Sequence, residues 1–436
     1  MSLFPSTERT LLARVARAQC DGRCPSLVAG VVREGKLVWH TGRGAVEEPA
    51  DDVQYRLGSI SKTVCAITVL RLRDEGLLDL SDTLEQHLPG TPLGDRTLTQ
   101  LLSHTGGVTS ESPGLWWERT PAQELPLSAA DRVLPAGRRF HYSNLGFGLL
   151  GELVARARGR SWDVVATDEV LRPLGMTRTT PRPEGRAAQG YAVHPWSDEV
   201  LPEPEHHAGI MAPAGQLWAT ARDLARLGAF LLGDGGGVLS PDTVEEMTLP
   251  AGVDFSGAWG SYGLGVQVQQ KDGRTLVGHG GSMPGFLAGL WCDREEGTAA
   301  LALANVTSGL DGALPATLLA DLREAEPTIV AEWSPSPSPV PASLLGPWYW
   351  GPSPYVLRAV PGGLLHLGGL GRPGRSSRFR AREDGTWVGL DGYFAGETLR
   401  LDPVALNLAT FVFTRTPYDP AAPVPGGVDA GGWQVP

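Results

Sequence analysis

Leu57-Gly58-Ser59-Ile60-Ser61-Lys62-Thr63 runs directly into the apolar positions Val64, Ile67 and Leu70, and the reading of this stretch decides the rest. The pattern predicts a helix that begins at Ser59 and continues to about Glu75, with Gly76 as its left-handed stop. Ser59 and Lys62, three residues apart, then share one face. A serine at the positive end of a helix lies among free backbone N–H groups, which favour a developing alkoxide and oxyanion. The chain has only three lysines, Lys36, Lys62 and Lys271, among 37 basic residues, so arginine is its default cation. Arginine cannot give up its proton whereas a desolvated lysine can, and Lys62 therefore reads as a base for Ser59. The plainer reading is a solvated helix charge, since Ser-x-x-Lys alone is a short motif.

At 436 residues the chain is long for one compact domain and fits two. Its hydrophobic content of 42% and charged content of 19% describe a folded protein. A formal charge of −11 argues against nucleic acid or an anionic membrane as partner. Met1 to Arg9 lacks the basic-then-apolar order of a secretory signal, and no run approaches the length of a membrane span, so a cytoplasmic setting is expected. Cys65 and Cys292 lie in apolar patterns, Cys20-Asp21-Gly22-Arg23-Cys24 lacks matching ligands, and His206-His207 are adjacent in a proline-flanked loop. Neither a metal nor a cofactor is expected.

Ser6 is read as the cap of a helix through Leu11, Leu12 and Val15, followed by strands Leu27 to Arg33 and Lys36 to His40 about a Glu34-Gly35 turn. Helical patterns then cover Leu98 to Leu102, Gly146 to Arg158, Ser161 to Val170, and Thr220 to Leu232 with Thr220 as cap. Strands return at Gly263 to Gln269, Arg274 to Val277, Phe286 to Asp293 and Thr298 to Ala304, before a helix from Ala313 to Leu322. Strands at both ends with helical material between them imply an α+β domain, residues 1–328, whose sheet is assembled from both ends. Residues 329–344, with alternating prolines, read as a stiff linker. From 345 to 418 short β runs punctuated by glycine suit a small up-and-down barrel: Tyr355 to Val360, Leu364 to Leu367, Arg378 to Ala381, Thr386 to Val388, Thr398 to Leu401 and Leu406 to Thr414. Residues 419–436 form a tail.

Two further segments carry chemistry. In Phe140-His141-Tyr142-Ser143-Asn144, a tyrosine beside an ammonium can act as a base, and an asparagine amide can orient lysine and substrate. Alone, the segment reads more readily as a core tyrosine with a capping Ser143 or Asn144. Val277-Gly278-His279-Gly280-Gly281-Ser282 ends a strand whose glycines, Gly280 and Gly281, allow a substrate backbone to approach. Alone, it reads as a glycine-softened turn.

Ser-x-x-Lys, Tyr-x-Asn and His-Gly-Gly in this order resemble the penicillin-recognising serine enzymes: class C β-lactamases, D,D-peptidases, D-aminopeptidases and related esterases. The resemblance spans residues 6 to 325 and implies a β-lactamase/transpeptidase-like fold, an antiparallel sheet flanked by helices with an all-helical insertion. It also implies Ser59 as nucleophile, Lys62 as its partner, Tyr142 as general base and later acid, Asn144 positioning substrate, and His279 in the third-motif place. The oxyanion hole would be the N–H groups of Ser59 and Ser282. His-Gly-Gly in place of Lys-Thr-Gly removes a cation that would meet a β-lactam carboxylate.

Trp116-Trp117-Glu118-Arg119-Thr120-Pro121, His194-Pro195-Trp196, Met211-Ala212-Pro213-Ala214-Gly215-Gln216-Leu217-Trp218 and Thr414-Arg415-Thr416-Pro417-Tyr418-Asp419 extend the likeness. With the barrel, they are similar to the penicillin-binding-protein-type thioesterases, surugamide-cyclase-like standalone cyclases of non-ribosomal peptide pathways that carry a lipocalin-like second domain. That resemblance implies an acyl-serine enzyme that takes a peptidyl group from a carrier thioester and releases it by head-to-tail macrocyclisation, with a D-residue at the acyl position. Trp116 and Trp117 would wall the substrate, or equally serve as packing residues, and Arg415 would touch a carboxylate or the carrier protein, or simply close the barrel. An esterase or a peptidase acting on D-residues, releasing to water, is the alternative. A non-catalytic peptide-binding sensor is a third reading, for which Ser59, Lys62 and Tyr142 would be superfluous.

Overall fold

The computed structural model describes residues 2–91, 93–111, 115–120, 132–257, 260–330, 332–371 and 374–417. The chain divides into two compact units, Met1–Ile329 and Val330–Pro436.

In the first unit β1 (Ser26–Arg33) and β2 (Lys36–Gly44) form a hairpin about Glu34 and Gly35. Both turn residues have positive φ, 52° and 70°, which matches the right-handed twist of the flanking strands. Six strands follow late in the unit: β3 (Gly252–Val253), β4 (Ser261–Tyr262), β5 (Gln267–Lys271), β6 (Arg274–Met283), β7 (Phe286–Asp293) and β8 (Thr298–Ala304). They join the hairpin in one sheet of order β2-β1-β8-β7-β6-β5-β4-β3, every ladder of which is antiparallel. The sheet is thus closed by its two ends in sequence, with Leu27 opposite Ala304.

The central strand β8, Thr-Ala-Ala-Leu-Ala-Leu-Ala, is buried along its whole length because helices cover both faces. On one face α1 (Pro5–Asp21) and a late helix, Leu314–Ala325, pack Leu11, Val15, Leu318 and Leu322 against Ala300 and Ala302. The other face receives α2 (Ser61–Asp74) and the helical insertion. In the insertion α3 (Asn144–Arg158) begins at Ser143, whose hydroxyl accepts from Gly146 N at 2.9 Å, and ends at Gly159 in the left-handed region. α4 (Ala221–Ala229) is capped by Thr220 as expected.

Several boundaries differ from expectation. Helix α1 begins at Pro5, a residue pre-set for a first turn, with Phe4 rather than Ser6 at its cap. The α-helix after the Ser59 stretch begins at Ser61, because Gly58–Ile60 forms a tighter 3₁₀ turn with Gly58 at φ +55°. The segment from Ser161 is α-helical only from Trp162 to Ala166 and continues as a π-turn to Leu171.

The second unit is a closed barrel of eight antiparallel strands joined in sequence order, β9 (Gly346–Trp350) to β16 (Phe411–Thr414). Two more strands are present than the six runs read from the sequence. Gly346–Trp350 escaped that reading, and Leu406 to Thr414 is two strands, Ala405–Leu408 and Phe411–Thr414, turning at Ala409. The barrel interior is filled by Trp348, Leu357, Leu365, Phe379, Leu399 and Phe413, all completely buried. Pro121, Tyr418 and the tail 419–436 lie outside the described residues.

Candidate active site

The 3₁₀ turn and strand β6 meet where the sequence placed its first and third motifs. A Cβ on Gly58 would collide with the amide of Ser282, and one on Gly281 would collide with the carbonyl of Leu57 and lie 3.3 Å from Ser59 N. Two glycines therefore let the nucleophile turn lie against the strand, with the amides of Ser59 and Ser282 beside one another. Gly280 has nothing within 4 Å of a Cβ position and opens onto a cavity of about 230 Å³. Ser59, Tyr142, Gln267, Ser282 and an apolar wall of Leu287 and Pro315 line that cavity.

Lys62 rises from the first turn of α2 and is completely buried. Its Nζ lies 2.9 Å from Ser59 Oγ, donates to Ala214 O at 2.7 Å, and stands 4.8 Å from the centroid of the Tyr142 ring. Burial lowers its pKa to about 7, against the opposing field of Glu111 and Glu118. The Tyr142 hydroxyl oxygen is also buried, and burial raises its pKa while a hydrogen bond with Ser59 lowers it. In this arrangement the tyrosine is a neutral phenol. The buried amine beside Ser59 Oγ fits the base that the Ser-x-x-Lys spacing suggested, whereas the family resemblance gave that role to Tyr142.

Asn144 occupies the first turn of α3, where its backbone N donates to Ser110 O at 2.7 Å and its Nδ2 to Glu111 Oε1 at 2.7 Å. Glu111 also accepts from Trp117 Nε1 at 2.6 Å. Trp117 is thus a buried support for the site, and Trp116 is exposed, stacked on Arg119 and bonded to Glu118. Neither tryptophan lines the cavity beside Ser59, whose apolar side is formed by Leu287 and Pro315.

His279 stands at the third-motif position and is buried, its ring 6.3 Å from that of Tyr142. Its Nδ1 donates to Gly280 O, so its Nε2 must accept from the Tyr262 hydroxyl at 2.9 Å. Burial, then the field of Lys62, holds its pKa at about 3. The imidazole is neutral and fixes strand β6 against β4; it is not among the residues that line the cavity beside Ser59. Arg415 takes the position that the barrel-closing alternative describes. Its guanidinium covers the Trp348 ring at 3.6 Å and donates to the carbonyls of Ser343, Leu345 and Pro347, closing the barrel.

Three contributors were missed in the sequence. The Ala214 carbonyl holds Lys62, Glu111 holds Asn144, and buried His104 accepts from Ser143 N at 3.1 Å while its ring lies 4.2 Å from that of Tyr142. His104 has positive φ, 57°, in a Thr-Gly-Gly turn, the one local signal for it. Among the described residues no group of His, Cys, Asp and Glu is arranged to hold a metal ion, and no helix is long and apolar enough to cross a membrane.

This constellation is that of a serine acyl-transfer site, and the Beta-lactamase family model matches residues 7–324. The chain belongs to the beta-lactamase family. A Domain of unknown function (DUF7586) matches residues 337–415. The human protein described as Putative beta-lactamase-like 1 is 31% identical over 390 residues, 78% of this chain and 74% of that protein. Of several other relatives the chain spans less than two thirds, 47% in one from Dictyostelium discoideum. Among solved structures, a D-stereospecific amidohydrolase from Streptomyces sp. is 25% identical with TM-score 0.62, covering 72% of this chain and 98% of its own. SurE with D-Leu is also 25% identical with TM-score 0.59, covering 95% and 100%.

Proposed function

We propose that this chain is an acyl-serine transferase that takes a peptidyl group from a carrier-bound thioester and releases it by attack of the peptide's own amine. The observation that carries the acyl-serine chemistry is the buried Lys62 amine, 2.9 Å from Ser59 Oγ and braced by the Ala214 carbonyl. Lys62 takes the hydroxyl proton as Oγ attacks the thioester carbon. The oxyanion forms between the amides of Ser59 and Ser282, and the Tyr142 phenol protonates the departing sulfur. The incoming amine then reverses the sequence. Release to an amine is supported by the likeness to SurE over 95% of the chain, which takes in the second unit as well as the first. A peptide carrier protein as partner and a cytoplasmic setting belong to this reading.

The likeness to a D-stereospecific amidohydrolase over 72% of the chain favours a second reading, hydrolysis of D-residue amides or esters. A neutral His279 supports neither reading over the other, but it leaves the third motif without the cation that a β-lactam carboxylate would meet.

The test is a linear peptidyl thioester whose last residue is D-configured, with products separated by chromatography and the protein weighed intact. The reading expects an acyl adduct on Ser59, a cyclic product, and neither with Ser59→Ala. Linear acid as the sole product would support the hydrolase reading. Turnover by purified Ser59→Ala would refute both.

A further inference from the structure

Among the described residues that line the cavity beside Ser59, one carries a charge, and it is an anion, Asp311. Asp311 lies between β8 and the helix Leu314–Ala325, where its Oδ1 accepts from Ala313 N at 2.9 Å and its backbone O from Leu314 N at 3.0 Å. These bonds seat the residue before the helix and leave Oδ2 without a partner among the described residues. No lysine, arginine or histidine among them forms an ion pair with Asp311. Arg14, which lines a second cavity with it, is committed to Asp321 by two bonds of 2.9 and 3.0 Å. Arg17 and Asp21, both exposed, bring opposite charges to that second cavity.

Gln267 lines the cavity beside Ser59 as well. Its Oε1 accepts from Gly280 N at 3.3 Å, so its NH₂ is the part left for a ligand. Tyr142 is a third lining residue, and in the acyl transfer above its phenol protonates the departing sulfur. The leaving group therefore occupies this cavity, and an attacking amine, which reverses the step, occupies it in turn. A cavity of about 230 Å³ is about 8 Å across if round, a distance over which two like charges cost about twofold in rate in a water-like medium and about thirtyfold in a protein-like one. A leaving group with a free carboxylate meets that repulsion. A neutral amide does not, and it can accept from Gln267 and donate to Asp311.

We propose that Asp311 selects by charge the group on the far side of the scissile bond, admitting one that carries a peptide-type amide and excluding one that carries a free carboxylate. The inference rests on the acyl-serine reading above and narrows its substrates. A thioester arm or a peptide's amino end, each continued by an amide, fits the cavity. A single amino acid cut from a chain end, with its carboxylate free, does not.

The test uses the full chain and two thioesters of N-acetyl-D-phenylalanine that differ only in the leaving thiol, 2-mercaptoacetamide or its isosteric acid, mercaptoacetate. Thiol release gives kcat/KM for each, and the ratio of amide to acid is compared between the native protein and Asp311→Asn. Asparagine keeps an oxygen for Ala313 N and removes the charge. The intrinsic difference between the two thiols is common to both proteins and cancels, as does any unfolded fraction. The ratio should fall about threefold or more in Asp311→Asn, chiefly because the acid is released faster, within the range of one unit charge at about 8 Å. An unchanged ratio overturns the selection while leaving acylation of Ser59 standing. Failure of both thioesters to acylate the native protein overturns the acyl-serine reading and the selection together.

Discussion

Replacing Lys62 by methionine should abolish acylation and make the protein more stable, with an effect that depends on pH. Burial brings this amine from its ordinary 10.5 to about 7. Each pH unit between the two values corresponds to about 1.4 kcal/mol, so a folded chain carrying Lys62 protonated bears a penalty on the order of 5 kcal/mol. Methionine removes the charge at similar length but leaves the Ala214 carbonyl without its donor, which costs about 1–3 kcal/mol. The net gain is about 2–4 kcal/mol. The sign follows from proton counts. Below about pH 7 the amine is protonated in both states and the penalty is complete. Between about 7 and 10.5 the unfolded chain holds a proton that the folded one lacks, so the native protein gains stability as pH rises and the advantage of methionine shrinks. Urea unfolding of both proteins at pH 6, 8 and 10 measures this. Equal stability at pH 6, or a difference that does not change with pH, would refute the account of Lys62 as a desolvated amine.

The same amine sets the activity profile: kcat/KM for acylation by an activated ester should fall about tenfold per unit below pH 7 and level off above it, whereas Lys62→Arg should stay near background throughout. A wild-type rate independent of pH from 5 to 8 would remove Lys62 as the base. Gly281→Ala should lower kcat/KM about 100-fold by forcing the Leu57 carbonyl and Ser59 amide away from strand β6, a loss comparable to that of one oxyanion donor. Stopped-flow acylation with that variant checks it, and a loss under threefold would show that the turn can yield.

What the sequence disclosed follows from the range of the interactions involved. Phe286–Asp293 and Thr298–Ala304 were found to the residue because continuous apolar runs bounded by turns carry their own signal. The barrel hairpin at Ala409 was invisible because no glycine, proline or asparagine marks that turn, although Ala409 adopts φ 52°. Ser59, Lys62, Tyr142 and Asn144 were legible as motifs. What the motifs do not carry is the burial around them, which distant segments create. Lys62 is held by a carbonyl 152 residues away, and the neutrality of His279 follows from burial and the field of Lys62. Trp117 stayed open between substrate wall and packing residue, because an indole in a loop has the same composition signal whether it faces a ligand or supports a carboxylate.

The sheet that carries the Ser59 turn has a temporal consequence. Strand β1 pairs with β2 on one side and with β8 on the other, and Arg33 is tied to Glu326 at 2.7 Å. A nascent chain therefore displays Ser59 and Lys62 early, but β6, which supplies Ser282, and β8, which closes the sheet, leave the ribosome nearly the whole first unit later. Until then Lys62 is hydrated and protonated, Ser59 has no second amide beside it, and the nucleophile is chemically inert. The second amide of the oxyanion site thus reaches this serine only when β6 has joined the sheet.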